Sequence, residues 1–315
     1  MGMQTVIYDE DLRLSGERVV ALGFFDGVHL GHRDMLKRAR AAADARGIGL
    51  AVFTFSSESE GLKRGSGRIY DTKTRLSLLD ELGVDLAVVA DFDKIRTISH
   101  EAFVENVLLK QLNAAITVSG FNFRYGNGAK GSSDTLREQM RAMGREALIV
   151  PAYLAKDGEP LSSTKIKKAL LEGNIELANE YLALPYRITS AVESGLHLGR
   201  TYGVPTLNQS FPEGTLIPRH GVYRAALCTG GRVYHALTNL GECPTFGARP
   251  PHAETFVITA DYAGEGDFIT VYLLGYLREE RKFDGAESLK MQINIDKNEA
   301  FERNGEIQWL INGRN

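Results

Sequence analysis

The stretch Gly23-Phe24-Phe25-Asp26-Gly27-Val28-His29-Leu30-Gly31-His32 decides how the first half of the chain is read. Before it, Arg18-Val19-Val20-Ala21-Leu22 is a short apolar run bounded by charge, the pattern of a buried strand. After it, Arg33 to Arg46 sets Met35, Leu36 and several alanines among basic residues, a composition that favours helix. His29 and His32 therefore stand where a strand gives way to a helix. Gly27 and Gly31 let the backbone approach a ligand closely, and the free N–H groups of a helix start favour an anion. Imidazole N–H groups add donors that follow charge building on a phosphate. Phosphate handling is the first reading. Two others stay open on these residues: His29 on the surface and His32 as a helix residue with no ligand, or a zinc site. Cys228 and Cys243 are far away in sequence and no further His or Cys stands nearby, which weighs against zinc.

Outward from that stretch, strand-like and helix-like segments alternate. Ile48 to Phe55, Asp85 to Phe92, Ala114 to Phe121 and Ala147 to Leu154 are short apolar runs rich in Val, Ile and Phe. Between them, Thr72 to Leu82, His100 to Leu112 and Ser133 to Met143 carry Leu, Val or Met at helical spacing. The alternation predicts parallel strands with crossover helices, a doubly wound, Rossmann-like α/β domain. Ligands in that architecture sit at the carboxyl ends of the strands, where His29, Asn122 and the segment after Phe55 all fall.

Ser163 to Leu182 reads as helix and leads into Leu184-Pro185-Tyr186, where the pattern changes. Arg187 to Ser194, Gly221 to Cys228, Arg232 to Leu237, Glu254 to Ala260 and Asp267 to Leu274 are β-type stretches separated by turns such as Thr229-Gly230-Gly231-Arg232. They predict a small antiparallel barrel. Ala286 to Arg303 reads as a closing helical segment with an interruption near Asn294. The expected domains are residues 1–184 and 185–315.

Composition bounds the function. The 315 residues suffice for two cores, and 43% hydrophobic with 24% charged residues is the balance of a soluble globular protein. A net charge of −3 offers no basic excess to attract nucleic acid. Two cysteines make no disulfide framework and fit a reduced cytoplasm. Met1 to Thr5 lacks the basic and apolar regions of a signal peptide, and no apolar run has the length of a membrane span.

Further segments carry chemistry. Ser119-Gly120-Phe121-Asn122-Phe123-Arg124-Tyr125-Gly126 follows a strand and enters a glycine-rich loop ending at Gly131. Leu161-Ser162-Ser163-Thr164-Lys165-Ile166-Lys167 opens a helix, where Ser162 and Ser163 serve as plain caps or as phosphate ligands. In the second half come Gly199-Arg200, Gly203-Val204-Pro205-Thr206-Leu207-Asn208, Pro218 to Tyr223, Asn239 to Phe246, Glu254, and Leu277 to Phe283.

Taken in order, these motifs resemble those of the bacterial bifunctional riboflavin kinase/FAD synthetase family, over roughly residues 18 to 300. The first-half segments look like nucleotidyltransferase signatures, and Gly203 to Asn208 resembles the kinase GFPTAN motif. The resemblance implies an enzyme that phosphorylates riboflavin to FMN with ATP and Mg²⁺, then adenylylates FMN to FAD. It implies that Gly23, Phe24, Asp26, Gly27, Gly31, Asn122, Ser162, Ser163, Thr164 and Lys167 bind ATP in the first domain, with His29 and His32 acting on the phosphates. Gly199 and Gly203 would bind ATP in the second, Thr206 and Asn208 would meet the metal, and Glu254 would be the general base. Partners would be ATP, riboflavin and FMN, with no nucleic acid and no membrane.

Two segments of the first half depart from the family. Lys167 stands for an arginine, which keeps charge but loses the bidentate fork. Where the family has Thr-Phe-x-Pro-His-Pro, the chain reads Thr54-Phe55-Ser56-Ser57-Glu58-Ser59, so both prolines are lost and the Glu58 carboxylate occupies the histidine position. The rivals are a kinase whose first domain is degenerate, and a flavin- or nucleotide-binding regulatory module without turnover.

Overall fold

The computed structural model describes residues 2–59, 67–193, 206–241, 251–259, 267–281 and 283–302. They form two compact units, Met1–Ser163 and Thr164–Asn315.

In the first unit, β1 (Gln4–Ile7), β2 (Arg18–Leu22), β3 (Gly49–Phe55), β4 (Leu86–Ala90), β5 (Ala114–Gly120) and β8 (Glu146–Val150) make one sheet in the order β1-β4-β3-β2-β5-β8. Every pairing is parallel. A small hairpin, β6 (Arg124–Tyr125) with β7 (Gly131–Ser132), stands apart. β2 and β4 are buried at almost every position, which is why they read as unbroken apolar runs. β1 belongs to the edge of the sheet, and its mostly exposed Gln-Thr-Val-Ile sequence gave no such run. The order reverses beside β2, so the loops leaving β2, β3 and β5 meet at one end of the sheet.

Two helices frame that end. Helix α1 (Leu30–Arg46) follows β2 and buries Met35, Leu36, Ala39 and Ala43. It stops at Gly47, whose φ of 64° is the left-handed conformation a helix C-cap requires. Helix α2 (Thr72–Glu81) is capped by the Asp71 carboxylate and buries Thr74, Arg75, Leu78 and Leu79. The segment read as helix from His100 to Leu112 is wider than expected: Phe103–Gln111 is π-helical, with the Leu112 amide reaching the Val107 carbonyl.

The second unit is an antiparallel sheet of β9 (Tyr186–Ala191), β10 (Thr206–Ser210), β11 (Gly221–Thr229), β12 (Arg232–Gly241), β13 (His252–Val257) and β14 (Phe268–Arg278). The order is β10-β13-β12-β11-β14-β9, and a bridge from Glu193 to Asn208 brings the two edges together. The sheet thus curls into a small barrel. Gln209, Ala253, Thr255, Thr238 and Leu240 are wholly buried, whereas Asn208, Glu254 and Asn239 between them are half-buried, the alternation of a sheet with one packed face.

Ser163 to Leu182, read as one helix, is two: Ser163–Glu172 and Ile175–Leu182. Gly173 at φ 77° breaks it and the Asn174 side chain caps the second helix. These helices group with the second unit; Asn179 donates to the Leu273 carbonyl at 2.8 Å and accepts from the Tyr186 amide at 2.7 Å. The closing helix runs Ala286–Glu302 without the interruption expected near Asn294. Arg278 of β14 grips the buried Asp296 carboxylate of that helix through Nε at 3.0 Å and Nη2 at 2.8 Å. Among the described residues, no helix is long and apolar enough to cross a membrane.

Candidate active sites

The Gly23–His32 stretch folds as a tight loop whose backbone is held in an unfavourable shape. Phe25, Gly27 and Val28 have φ of 57°, 82° and 45°. A β-branched residue in the left-handed region is costly and persists only where packing over-determines it. Packing does so here, because the Phe25 and Val28 side chains are wholly buried. The Asp26 carboxylate, also buried, accepts from the Ile69 amide at 2.8 Å, and the Asp26 carbonyl accepts from the Ser163 hydroxyl at 2.9 Å. Ser163 is therefore tied to the histidine loop, and its hydroxyl bonds Asp26 rather than acting only as a plain helix cap.

His29 caps α1, its Nδ1 accepting from the His32 amide at 3.4 Å, which leaves the proton on Nε2. The two imidazoles stack with centroids 3.7 Å apart, and His32 meets Phe25 edge-on. A Cβ at Gly31 would lie 3.2 Å from the His29 ring, so the glycine makes room for the stack. Burial lowers the His29 pKa to about 4. Burial also lowers His32 well below the usual range, helped by the charges of His29 and Arg75. Both rings are neutral at pH 7, each with one donor. His32 Nδ1 is buried and has no hydrogen-bond partner among the described residues.

Asn122 is exposed just beyond β5, the neighbour of β2, and no hydrogen bond joins it to either imidazole among the described residues. Thr164 is exposed and Lys167 half-buried on the Ser163–Glu172 helix. Glu58 accepts hydrogen bonds from Ser56 and, at 3.3 Å, from Thr72. Burial alone would raise its pKa, but these hydrogen bonds and the charge of Arg75 bring it below the usual value.

Sequence reasoning missed Arg75. Its side chain is 1% exposed. Nη1 donates to the Phe24 carbonyl and, at 3.1 Å, to the Thr54 hydroxyl; Nη2 donates to the Phe55 carbonyl at 2.5 Å. Its guanidinium lies 4.3 Å from the Phe24 ring centroid, and Arg68 approaches the same ring at 4.8 Å. The available signal was an arginine at helical spacing from Leu78 and Leu79, on the apolar face of α2.

In the second unit, Asn208, Glu254 and Asn239 are directly paired across β10, β13 and β12. Their side chains share the outward face, opposite the buried Gln209, Thr255 and Thr238. Glu254 is the third residue of β13 rather than its first. Its carboxylate lies 3.1 Å from His252 Nε2, and Asn239 Nδ2 donates to Glu280 at 2.8 Å. His252 was also missed, although its spacing of two from Glu254 put both on one face. Gly199, Gly203 and Cys243 lie outside the described residues.

Thr206 and Asn208 present a hydroxyl and an amide oxygen on that face, a donor set that suits a hard cation already held by phosphates. Among the described residues no cluster of three His, Cys, Asp or Glu forms a metal site by itself.

Comparison with known proteins agrees with this division. The FAD synthetase family model matches residues 12–165 and the riboflavin kinase model matches residues 182–303. A bifunctional riboflavin kinase/FMN adenylyltransferase of Bacillus subtilis (strain 168) is 32% identical over 291 residues, 90% of this chain and 91% of that protein. The one of Escherichia coli (strain K12) is 29% identical over 90% of this chain and 92% of its own length. A crystal structure described as a macrolide-efflux protein from Streptococcus pneumoniae superposes with a TM-score of 0.83 at 28% identity, covering 94% of this chain and 98% of that one. With two strand-exit imidazoles in one unit and a paired Asn-Glu-Asn row in the other, the chain belongs to the bifunctional riboflavin kinase/FMN adenylyltransferase family.

Proposed function

We propose that this chain makes both flavin cofactors, each unit carrying out one ATP-dependent step, with the functional division near residue 184. The observation that carries the reading is the outward row Asn208–Glu254–Asn239. Glu254 takes the proton of the ribityl terminal hydroxyl as its oxygen attacks the γ-phosphorus of ATP. The bond from that phosphorus to the β-phosphate oxygen breaks, and FMN and ADP form. His252 orients the Glu254 carboxylate. Thr206 and Asn208 would hold Mg²⁺ together with ATP phosphates, the ion would supply charge stabilisation, and positioning by the chain does most of the rest.

In the first unit, an FMN phosphate oxygen attacks the α-phosphorus of a second ATP. The α–β phosphoanhydride breaks, pyrophosphate leaves and FAD forms. The nucleophile is already ionised, so no protein base is required. Gly23, Phe24, Asp26, Gly27 and Gly31 shape the loop around the nucleotide, with Asn122, Ser162 and Ser163 at its margins, and the family motif adds Thr164 and Lys167 as phosphate ligands. His29 and His32 donate to the phosphates as charge moves to the leaving group. The absence of a basic excess and of a disulfide framework supports a cytoplasmic enzyme of small molecules.

A kinase with a silent first unit is the second reading, favoured by the Glu58 carboxylate near a polyanion site. Incubation with riboflavin, ATP and Mg²⁺ followed by chromatography of the flavins decides: FMN and FAD support the two-step reading, FMN alone the second, and neither product removes both.

Thr206→Ala with Asn208→Ala should weaken MgATP use in the kinase step far more than riboflavin binding. Unchanged MgATP affinity and turnover would make the segment a structural strand only. Lys167→Ala should depress FAD formation from supplied FMN, whereas Lys167→Arg should preserve or raise it, because a guanidinium grips two phosphate oxygens at once. Equal rates for the two variants would take residue 167 out of the site.

A further inference from the structure

We propose that Arg75 is a positioning residue of the adenylyl-transfer site. Its charge sits beneath the Gly23–Phe24–Phe25 turn without an ion-pair partner among the described residues, offsets Glu58 and biases the site toward the nucleotide's phosphates. This rests on the adenylyl-transfer reading of the first unit. Carboxylates, when they neutralise a buried arginine, do so by direct pairing; a lone buried guanidinium is costly. Arg75 is buried, yet its hydrogen bonds go to the carbonyls of Phe24 and Phe55 and the hydroxyl of Thr54, while Nε has no partner among the described residues.

The fold retains this cost at one place, the exits of β2 and β3. There the guanidinium fixes the turn after β2 to the end of β3, and it stacks on Phe24. Its charge is felt on both sides. Asp26, Glu58 and Asp71 each act to raise its pKa, although burial holds it down to about 10, still fully protonated at pH 7. The same charge depresses both His32 and Glu58. Arg75 thus stands electrostatically between the carboxylate that departs from the family pattern and the imidazole beside the reacting phosphates. Low-dielectric surroundings make such a preoriented charge effective, since no water must reorganise around it.

The test uses the full chain with Arg75→Gln, which keeps donors and removes charge, and Arg75→Lys, which keeps charge and loses the fork. Inorganic pyrophosphate, the product of this step alone, is the calorimetric probe. The KM for ATP and kcat are read from FAD formation with supplied FMN, and riboflavin phosphorylation reports that the second unit is intact. Removing a unit charge roughly 10 Å from another at an effective dielectric of about 20 corresponds to about fifteenfold. Arg75→Gln should weaken pyrophosphate binding and raise the KM for ATP by about that factor, with a smaller change in kcat. Arg75→Lys, which keeps the charge but not the fork, should lose clearly less pyrophosphate affinity than Arg75→Gln.

Equal losses in the two variants, or wild-type pyrophosphate affinity in Arg75→Gln, would overturn the proposal. Should Arg75→Gln fail to fold, Glu58→Gln reads the same balance from the other side: pyrophosphate should bind several-fold tighter, and unchanged or weaker binding would overturn the proposal. The two layers separate cleanly. A wild type that binds pyrophosphate in an Arg75-dependent way yet forms no FAD refutes the adenylyl-transfer reading and leaves Arg75 in an anion site.

Discussion

Glu254→Gln should lower riboflavin phosphorylation by about a hundredfold to ten-thousandfold, the usual contribution of a general base. FAD formation from supplied FMN should stay near wild type, because Glu254 belongs to the second unit and the histidine loop to the first. The amide is nearly isosteric, so the strand pairing to Asn208 and Asn239 survives and the kcat effect is chemical. The KM for riboflavin should change little by comparison. The His252 ring 3.1 Å away distinguishes orientation from proton transfer. His252→Gln keeps a donor and should cost far less than Glu254→Gln, whereas loss of both activities together would point to misfolding. Near-normal phosphorylation by Glu254→Gln would remove it from the mechanism.

What the sequence made legible, and what it hid, follows from where each residue finds its partners. The buried strands β2 and β4 announced themselves because both faces are covered, leaving uninterrupted apolar runs. β1 did not, since an edge strand with exposed side chains carries no periodic signal. The helix break at Gly173 and Asn174 was written plainly, as a left-handed glycine followed by a capping asparagine, but lay inside a continuous apolar pattern. The expected break near Asn294 failed for the opposite reason: a polar residue on an exposed helix face interrupts nothing.

The site divides in the same manner. His29, His32, Asp26 and Ser163, all quoted from the sequence motifs, are joined by the bonds from His32 to His29 and from Ser163 to Asp26. Arg75 stayed hidden because its partners are main-chain carbonyls and one hydroxyl on strand exits distant in sequence, groups that every chain has. His252 was within reach, since alternate residues of one strand share a face. Its role required knowing which face is outward.

The first unit should lose stability as pH falls from about 6.5 to about 4. The sign follows from proton binding. An unfolded histidine titrates near 6.5, whereas folded His29 does so at about 4 because burial disfavours the cation. Between those values the unfolded chain binds a proton that the folded one does not, so stability rises with pH across the window and is lost as pH falls through it. The difference corresponds to roughly 3 kcal/mol for His29 below about pH 4. His32 shifts in the same direction and adds to the loss. Hydrogen exchange of the β2 and β3 amides, followed against pH, isolates this unit from the barrel. His29→Gln removes one of the two titrations and should flatten the dependence. A slope unchanged by that substitution would mean that other groups drive the acid loss.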